Sequence, residues 1–239
     1  MLITTNAIVL SKLRYKDNDL IVKCYTQEIG VVSFLLRGVL KSKKGNSKTA
    51  YFQVLSQLQI VFTHKNSRSL QSVKETKSNY IYTSLHSNVL KGSIVMFLSE
   101  VLSNTLQEEE QNETLYSYLE STFLWLDSQS DYANFHLLFL LKLTKYLGFY
   151  PDTTLIDFPF FNLQEGMFEI KPSNNYALSG ENLTLLKKLL GTTFDGLPSI
   201  KINAKQRQSF LSMILLYFEL HLGSFKTPKS LHVFNEVFS

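Results

Sequence analysis

The hydrophobic period of this chain changes once, near Tyr80, and that change limits what it can fold into. Before it the apolar residues come in short, β-branched and aromatic runs. Ala7–Leu10 sits in an extended stretch that reaches Arg14; Leu20–Thr26 and Val31–Leu36 follow. Val54–His64 alternates, with Val54, Leu58, Ile60 and Phe62 set against Gln53, Gln57, Gln59 and Thr63, and Leu70–Lys77 is a weaker last run. The clusters Asp17-Asn18-Asp19, Gln27–Gly30 and Asn66-Ser67-Arg68 read as turns. Five short strands in about 80 residues predict a small β-barrel or sandwich. The strand count and size suit an OB-fold, and on pattern alone an SH3-like barrel fits as well.

After Tyr80 the apolar residues recur at helical steps: Ile81, Leu85, Val89 and Leu90, then Ile94, Phe97, Leu98, Val101 and Leu102, with Gly92 expected to break the two sets. Leu115, Tyr118, Leu119, Thr122 and Leu126 form another stripe, with Asn112 as its N-cap. Ala133–Leu147 is apolar on all sides and predicts a buried central helix ending at Gly148. The stretch 150–179 is irregular, with a small hairpin expected over Leu163–Phe168. Helices are expected over Leu183–Leu190, over Ala204–Leu222 behind an Asn203 cap, and over Ser230–Phe238. The chain therefore reads as an α+β protein of two domains: a β-barrel over 1–79 and a mostly α-helical C-terminal domain over 80–239 with an irregular insert.

Net charge is only +4, but it is unevenly spread. Residues 1–80 hold thirteen Lys and Arg against Asp17, Asp19, Glu28 and Glu75, a balance of +9, which leaves −5 for the remainder. This division points to a basic module that meets a polyanion. The pattern of chemistry-bearing residues favours no enzyme. Gly191 and Gly196 have the spacing of a phosphate loop, but Leu197-Pro198 stand where Lys and Ser/Thr are needed. No two of the five histidines share an i,i+3 or i,i+4 step, and His136, in the most apolar stretch, reads as a core histidine with one hydrogen-bond partner. The single cysteine, Cys24, can make neither an internal disulfide nor a four-thiolate zinc site, so the chain reads as intracellular, or at least as not stapled for secretion. No signal peptide is visible at the start, and no apolar run nears the roughly 18 residues of a membrane span.

The nucleic-acid signal is better. Arg37-Gly38-Val39-Leu40-Lys41-Ser42-Lys43-Lys44-Gly45-Asn46-Ser47-Lys48 places five cations in twelve residues at the end of a strand. Arg forks grip phosphate oxygens and lysines add longer-range attraction. Phe34, Tyr51 and Phe52 flank the loop; each ring can stack an unpaired base or pack in the core.

Five elements, in order along the chain, resemble the RecO family of bacterial recombination mediators. They are Thr5-x-Ala7-Ile8-Val9-Leu10; Arg14-Tyr15-x-Asp17-x-Asp19-Leu20; Gly30 with Arg37-Gly38 and its lysine-rich sequel; Leu147-Gly148-Phe149-Tyr150-Pro151; and His221-Leu222-Gly223-Ser224-Phe225-Lys226-x-Pro228-Lys229-Ser230-Leu231. The resemblance implies an N-terminal OB-fold followed by the helical domain. It implies binding of single- and double-stranded DNA, annealing of complementary strands, and help in loading RecA onto DNA coated with single-strand-binding protein. The implied partners are RecR and the acidic tail of single-strand-binding protein, with no membrane and no cofactor, and the expected location is the cytoplasm, at the nucleoid. Position in the motifs assigns DNA contact to Arg14, Arg37, Lys41, Lys43 and Lys44, and charge alone extends it to Lys16 and Lys48. An acidic tail ending in an aromatic needs an apolar slot with a cationic rim, for which Lys187, Lys188, Lys205 and Arg207 are candidates. The rival reading is an OB-fold RNA-binding adaptor without catalytic activity.

Many members of that family carry a four-cysteine zinc site after the Leu-Gly-x-x-Pro element. Here Asp152–Ser179 contains neither cysteine nor histidine, so zinc is not expected, and Phe158, Phe160, Phe161, Met167 and Phe168 are expected to fill the space as an apolar cluster. Elemental analysis of the purified protein is accordingly expected to find no stoichiometric zinc; one zinc per chain would overturn this reading.

Overall fold

The computed structural model describes residues 1–41, 49–106 and 110–238. The chain divides into two compact units, Met1–Ser128 with Pro228–Ser230, and Gln129–Thr227 with Leu231–Ser239.

The first unit opens with five antiparallel strands: β1 (Leu2–Tyr15), β2 (Asp19–Thr26), β3 (Gly30–Leu36), β4 (Gln57–Thr63) and β5 (Ser72–Ser78). They lie in the order β3-β2-β1-β4-β5. A parallel bridge between Phe34 and Gln71 joins the two edges, through Leu35 N–H to Gln71 O (2.9 Å) and Gln71 N–H to Ser33 O (2.8 Å). Closed in that way, the strands run 1-2-3-5-4-1 round a small Greek-key barrel, the OB-fold. Alternate residues supply the interior: Ala7, Val9, Val22, Cys24, Phe34, Leu58, Ile60 and Phe62 are buried together. Burial pushes the Cys24 thiol well above its usual range, as fits a small apolar core residue.

The long strand β1 is buried on both faces in its middle, because a helix covers its outer side. That helix is α1 (Val89–Thr105), and α2 (Glu113–Ser128) follows. Lys23 on β2 donates to Ser103 O (2.7 Å) and Leu106 O (2.9 Å), satisfying carbonyls at the C-terminal end of α1. Gln57 reaches Glu120 O on α2 (3.0 Å).

Two sequence expectations fail here. No helix starts at Tyr80, and Gly92 breaks nothing. Residues 79–88 are irregular, and α1 runs through Gly92, whose N–H bonds Asn88 O at 2.8 Å. The cause is a polar anchor that outweighs the apolar period. The Asp127 carboxylate, 3 % exposed, accepts from the backbone N–H of Thr83 (2.9 Å), Ser84 (2.8 Å) and Leu85 (2.7 Å) and from the Thr83 hydroxyl (3.0 Å). Buried Lys91 donates to Ser84 Oγ (2.7 Å) and Asp127 O (2.8 Å). The helix can start only after this segment, at Asn88, whose side chain caps Leu90 and Lys91.

The second unit is built round α3 (Phe135–Tyr146), almost wholly buried. A three-stranded sheet of β6 (Phe160–Asn162), β7 (Met167–Glu169) and β8 (Ala177–Leu178) follows, then α4 (Gly180–Leu190), α5 (Ala204–His221) and α6 (Leu231–Val237). The Leu147–Pro151 element has a physical role. Gly148 leaves α3 at φ +86°, and Phe149 then stacks on His221 (5.0 Å, 6°) while its carbonyl accepts from Tyr217 Oη (2.8 Å). His136 lies against Phe234 (4.7 Å) and Phe238 (5.8 Å) with neither ring nitrogen bonded, against the expectation of one partner. Burial, with Arg207 nearby, lowers its pKa to about 3, so it stays neutral. Among the described residues no helix is long and apolar enough to cross a membrane.

Burial alone would raise the Asp127 pKa, but the backbone donors of Thr83, Ser84 and Leu85 outweigh it and hold the pKa at about 2. A depressed carboxylate stabilises the fold above its unfolded pKa of about 3.9 and loses that contribution as pH falls toward the folded value. Asp127→Ala is therefore expected to cost about 3 kcal/mol at neutral pH in chemical denaturation. The variant is also expected to lose much of the fall in stability that the wild type shows between about pH 4 and 2.

Candidate nucleic-acid interface

The turn between β1 and β2 is Lys16-Asp17-Asn18. Lys16 adopts φ +52°, an uncommon conformation for a residue other than glycine or asparagine, and its Nζ sits 5.4 Å from the centre of the Tyr15 ring. Arg14 Nη2 donates to Asp17 O (3.2 Å). Beyond β3 the chain turns at Gly38, φ +64°, and Val39 is buried in the barrel. The two turns are clipped together. Asp19 Oδ1 accepts from Gly38 N–H (2.7 Å), and Asn18 O accepts from Leu40 N–H (3.0 Å). Asp19 thus holds the neighbouring turn in place, which requires no general-acid role.

The outcome is a shallow depression of about 400 Å³ lined by Lys16, Asp17, Asn18, Asp19, Arg37, Gly38 and Lys41. Of the seven sequence candidates, Lys16, Arg37 and Lys41 line it, and Arg14 is hydrogen-bonded to its Asp17. Lys43, Lys44 and Lys48 lie outside the described residues. Arg14, Lys16, Arg37 and Lys41 are all exposed, and none is ion-paired with a carboxylate among the described residues. Exposed cations held by backbone turns and not ion-paired suit an incoming phosphate.

The flanking rings part company. Phe34 is fully buried and meets Phe62 edge-on at 5.0 Å, and Phe52 is also in the core, so neither can stack a base. Tyr51 is 42 % exposed. The sequence reading missed Lys74 on β5, which shares a groove with Arg37 and Tyr51 along the β3–β5 seam. It also gave no role to Lys65 and Arg68 in the β4–β5 loop, exposed and held by the buried Gln71 amide, which donates to both their carbonyls (3.0 and 2.7 Å). OB-folds take ligands on the face of strands 2 and 3 and on the loops that Lys16, Lys65 and Arg68 occupy. The strand register that places these residues depends on long-range pairing, which no local pattern records.

In the second unit a depression of about 740 Å³ is lined by Leu185, Ile200 and Ile202 with Lys188 and Lys201, and also by Glu181. Two of the proposed rim cations are committed elsewhere. Lys187 donates to Phe158 O (2.9 Å), and Arg207 bonds Asn134, Phe238 O and Ile202 O. Lys205 is exposed but does not line the depression.

The residues of the insert do not form a zinc set. Phe161 and Phe168 pack at 4.9 Å and are buried, but Met167 is 47 % exposed and does not join them. Phe158 and Phe160 are only half-buried. Buried Asn162 donates to Glu169 (3.3 Å) and Ser173 (2.8 Å) and accepts from Gln164 N–H, Glu165 N–H and the Asn174 amide. These polar atoms satisfy one another, and they include no thiolate or imidazole. Among the described residues no group of three or more His, Cys, Asp or Glu is placed to hold a metal.

Comparison with known proteins gives a consistent result over the full length. Residues 1–82 match the family described as Recombination protein O N terminal, and residues 86–231 match Recombination protein O C terminal. The chain is 51 % identical to DNA repair protein RecO of Christiangramia forsetii, 44 % to that of Flavobacterium johnsoniae and 35 % to that of Bacteroides fragilis, in each case over 100 % of both chains.

Asp19→Ala separates position from charge. The substitution raises the net charge by one, so electrostatics alone predicts tighter DNA binding, whereas loss of the Gly38 clip lets Arg37 and Lys41 wander. Weaker binding is expected in a titration at fixed salt, with a stability loss of about 1–2 kcal/mol. Tighter binding would show that these cations act without fixed positions.

Proposed function

The chain belongs to the RecO family, and from that premise we propose that it is a DNA-binding recombination mediator in DNA repair. In this reading it anneals complementary strands and, with RecR, helps load RecA onto single-stranded DNA coated with single-strand-binding protein. One observation carries the reading: Lys16, Arg37 and Lys41 converge on one OB-fold surface beside Asp17 and Asp19, and none of the three is ion-paired among the described residues. Two DNA strands repel each other through their phosphates. A cationic surface that neutralises phosphates on both lowers that barrier without any bond-breaking step. Arg14, Lys43, Lys44 and Lys48 join the same DNA-facing set in this proposal.

The partner contacts fall to the second unit. A peptide tail of acidic residues ending in an aromatic would set its ring against Leu185, Ile200 and Ile202 and its carboxylates against Lys188 and Lys201. The role of RecR rests on the family alone.

The test is annealing of fluorescent complementary strands coated with single-strand-binding protein, with and without this chain. Acceleration is expected, and matched RNA strands are expected to compete poorly. Replacing Lys41, Lys43 and Lys44 with Ala is expected to weaken binding to all sequences alike. The same change is expected to shallow the salt dependence by roughly 0.7–0.9 log units for each phosphate that is no longer neutralised. No acceleration by the wild type, or RNA competing better than DNA, would overturn the reading.

A further inference from the structure

Three depressions on the barrel surface share lining residues and so form one track. Arg37 belongs both to the cationic depression with Lys16 and Lys41 and to the seam groove of about 490 Å³ with Lys74. Tyr51 belongs both to that seam groove and to a third, of about 530 Å³, walled by Tyr80, Ile81, Tyr82 and His86. Lys74 and Thr76 line the second groove and Ser78 the third, so β5 runs along both.

The chemistry changes along the track. Lys16, Arg37 and Lys41 line one end beside Asp17 and Asp19, and aromatic rings line the other. Tyr51 is 42 % and Tyr80 40 % exposed. The rings behind Tyr80 are fixed: Tyr82 donates to Leu55 O (3.1 Å), His86 Nε2 is 2.9 Å from Val54 O, and the Tyr80–Tyr82 and Tyr82–His86 pairs pack edge-on at 5.4 and 5.3 Å. Tyr80 is therefore held ready before any ligand arrives, which lowers the ordering cost of binding.

We propose that this track holds single-stranded DNA, with phosphates on Arg37, Lys41 and Lys74 and unpaired bases stacked on Tyr51 and Tyr80. The proposal rests on the DNA-binding reading above and adds to it a means of telling unpaired DNA from duplex. Bases in a duplex already stack on each other and cannot offer a face to a ring, whereas every unpaired base can. The cations serve both forms of DNA; the two tyrosines serve only the unpaired one.

The experiment uses the full chain and two labelled probes at one salt concentration: an oligothymidylate of about 16 nucleotides, near the upper limit for one OB-fold, and a duplex of equal length. The Tyr51→Ala/Tyr80→Ala double variant is expected to lose about tenfold or more in affinity for the single strand, at the magnitude of base–aromatic stacking, and to hold the duplex affinity within about twofold. Tyr51→Phe/Tyr80→Phe keeps the rings and is expected to restore single-strand affinity. Should the Ala variant unfold, a 2-aminopurine base in the oligonucleotide gives a second readout on the wild type and the Phe variant, with its fluorescence falling on stacking. Equal losses on both probes, no loss on the single strand, or unquenched 2-aminopurine would overturn the proposal while leaving DNA binding intact. A wild type that binds neither probe would overturn the DNA-binding reading itself.

Discussion

Two backbone hydrogen bonds at Gln71 convert a five-stranded sheet into a closed barrel. Gln71 lies just before β5 and pairs with Ser33 and Leu35 of β3, while its buried side chain ties down the β4–β5 loop at Lys65 and Arg68. Without that closure β3 and β5 would each present an open edge, a row of unpaired donors and acceptors prone to foreign pairing. The seam that Gln71 creates is also where Arg37, Tyr51 and Lys74 meet. The same long-range pairing thus completes the core and positions the candidate interface.

Cations of one type take two roles in this chain, and surroundings decide between them. Lys23 and Lys91 are drawn inward to carbonyls, and burial pushes both their pKa values down. Arg207 spends its guanidinium on two carbonyls and an amide within the second unit. Such charge-assisted bonds contribute roughly 1.5–3 kcal/mol each and leave nothing for a ligand. Lys16, Arg37, Lys41 and Lys74 remain exposed without a described carboxylate partner, and their cost is low because water solvates them. The positive balance of residues 1–80 therefore overstates the charge on offer, since Lys23 belongs to a helix end.

The insert of the second unit is likewise held by groups that serve the fold. An aromatic pair, Phe161 and Phe168, and a buried asparagine that satisfies its neighbours fix this irregular segment. Gly166, at φ +69°, lets the hairpin turn come so near Tyr217 that an added Cβ would lie 2.8 Å from its hydroxyl. Apolar packing and saturated polar atoms can hold such a segment without metal, provided each buried polar group is paired.

The period of two before Tyr80 and the helical period after it were enough to read the strands and helices, the barrel size and the buried α3, since each depends on spacing within one segment. The Asn112 and Asn203 caps and the Gly148 stop were legible for the same reason. The lysine-rich sequel to Arg37 was visible as charge, and Asp17 and Asp19 as a turn. What the spacing misjudged were the segments that distant partners control. Asp127 keeps residues 83–85 out of a helix from more than forty positions away. For Phe34 and Phe52 the spacing left stacking and core packing open, and the closed barrel makes them core. Lys74, Tyr51 and Tyr80 join one surface through strand register and seam closure. By itself the sequence determined which segments are strand or helix and which of them are basic, because those properties are local; only the tertiary structure decided which cations and rings face a ligand, because that depends on which distant groups bury or bond them.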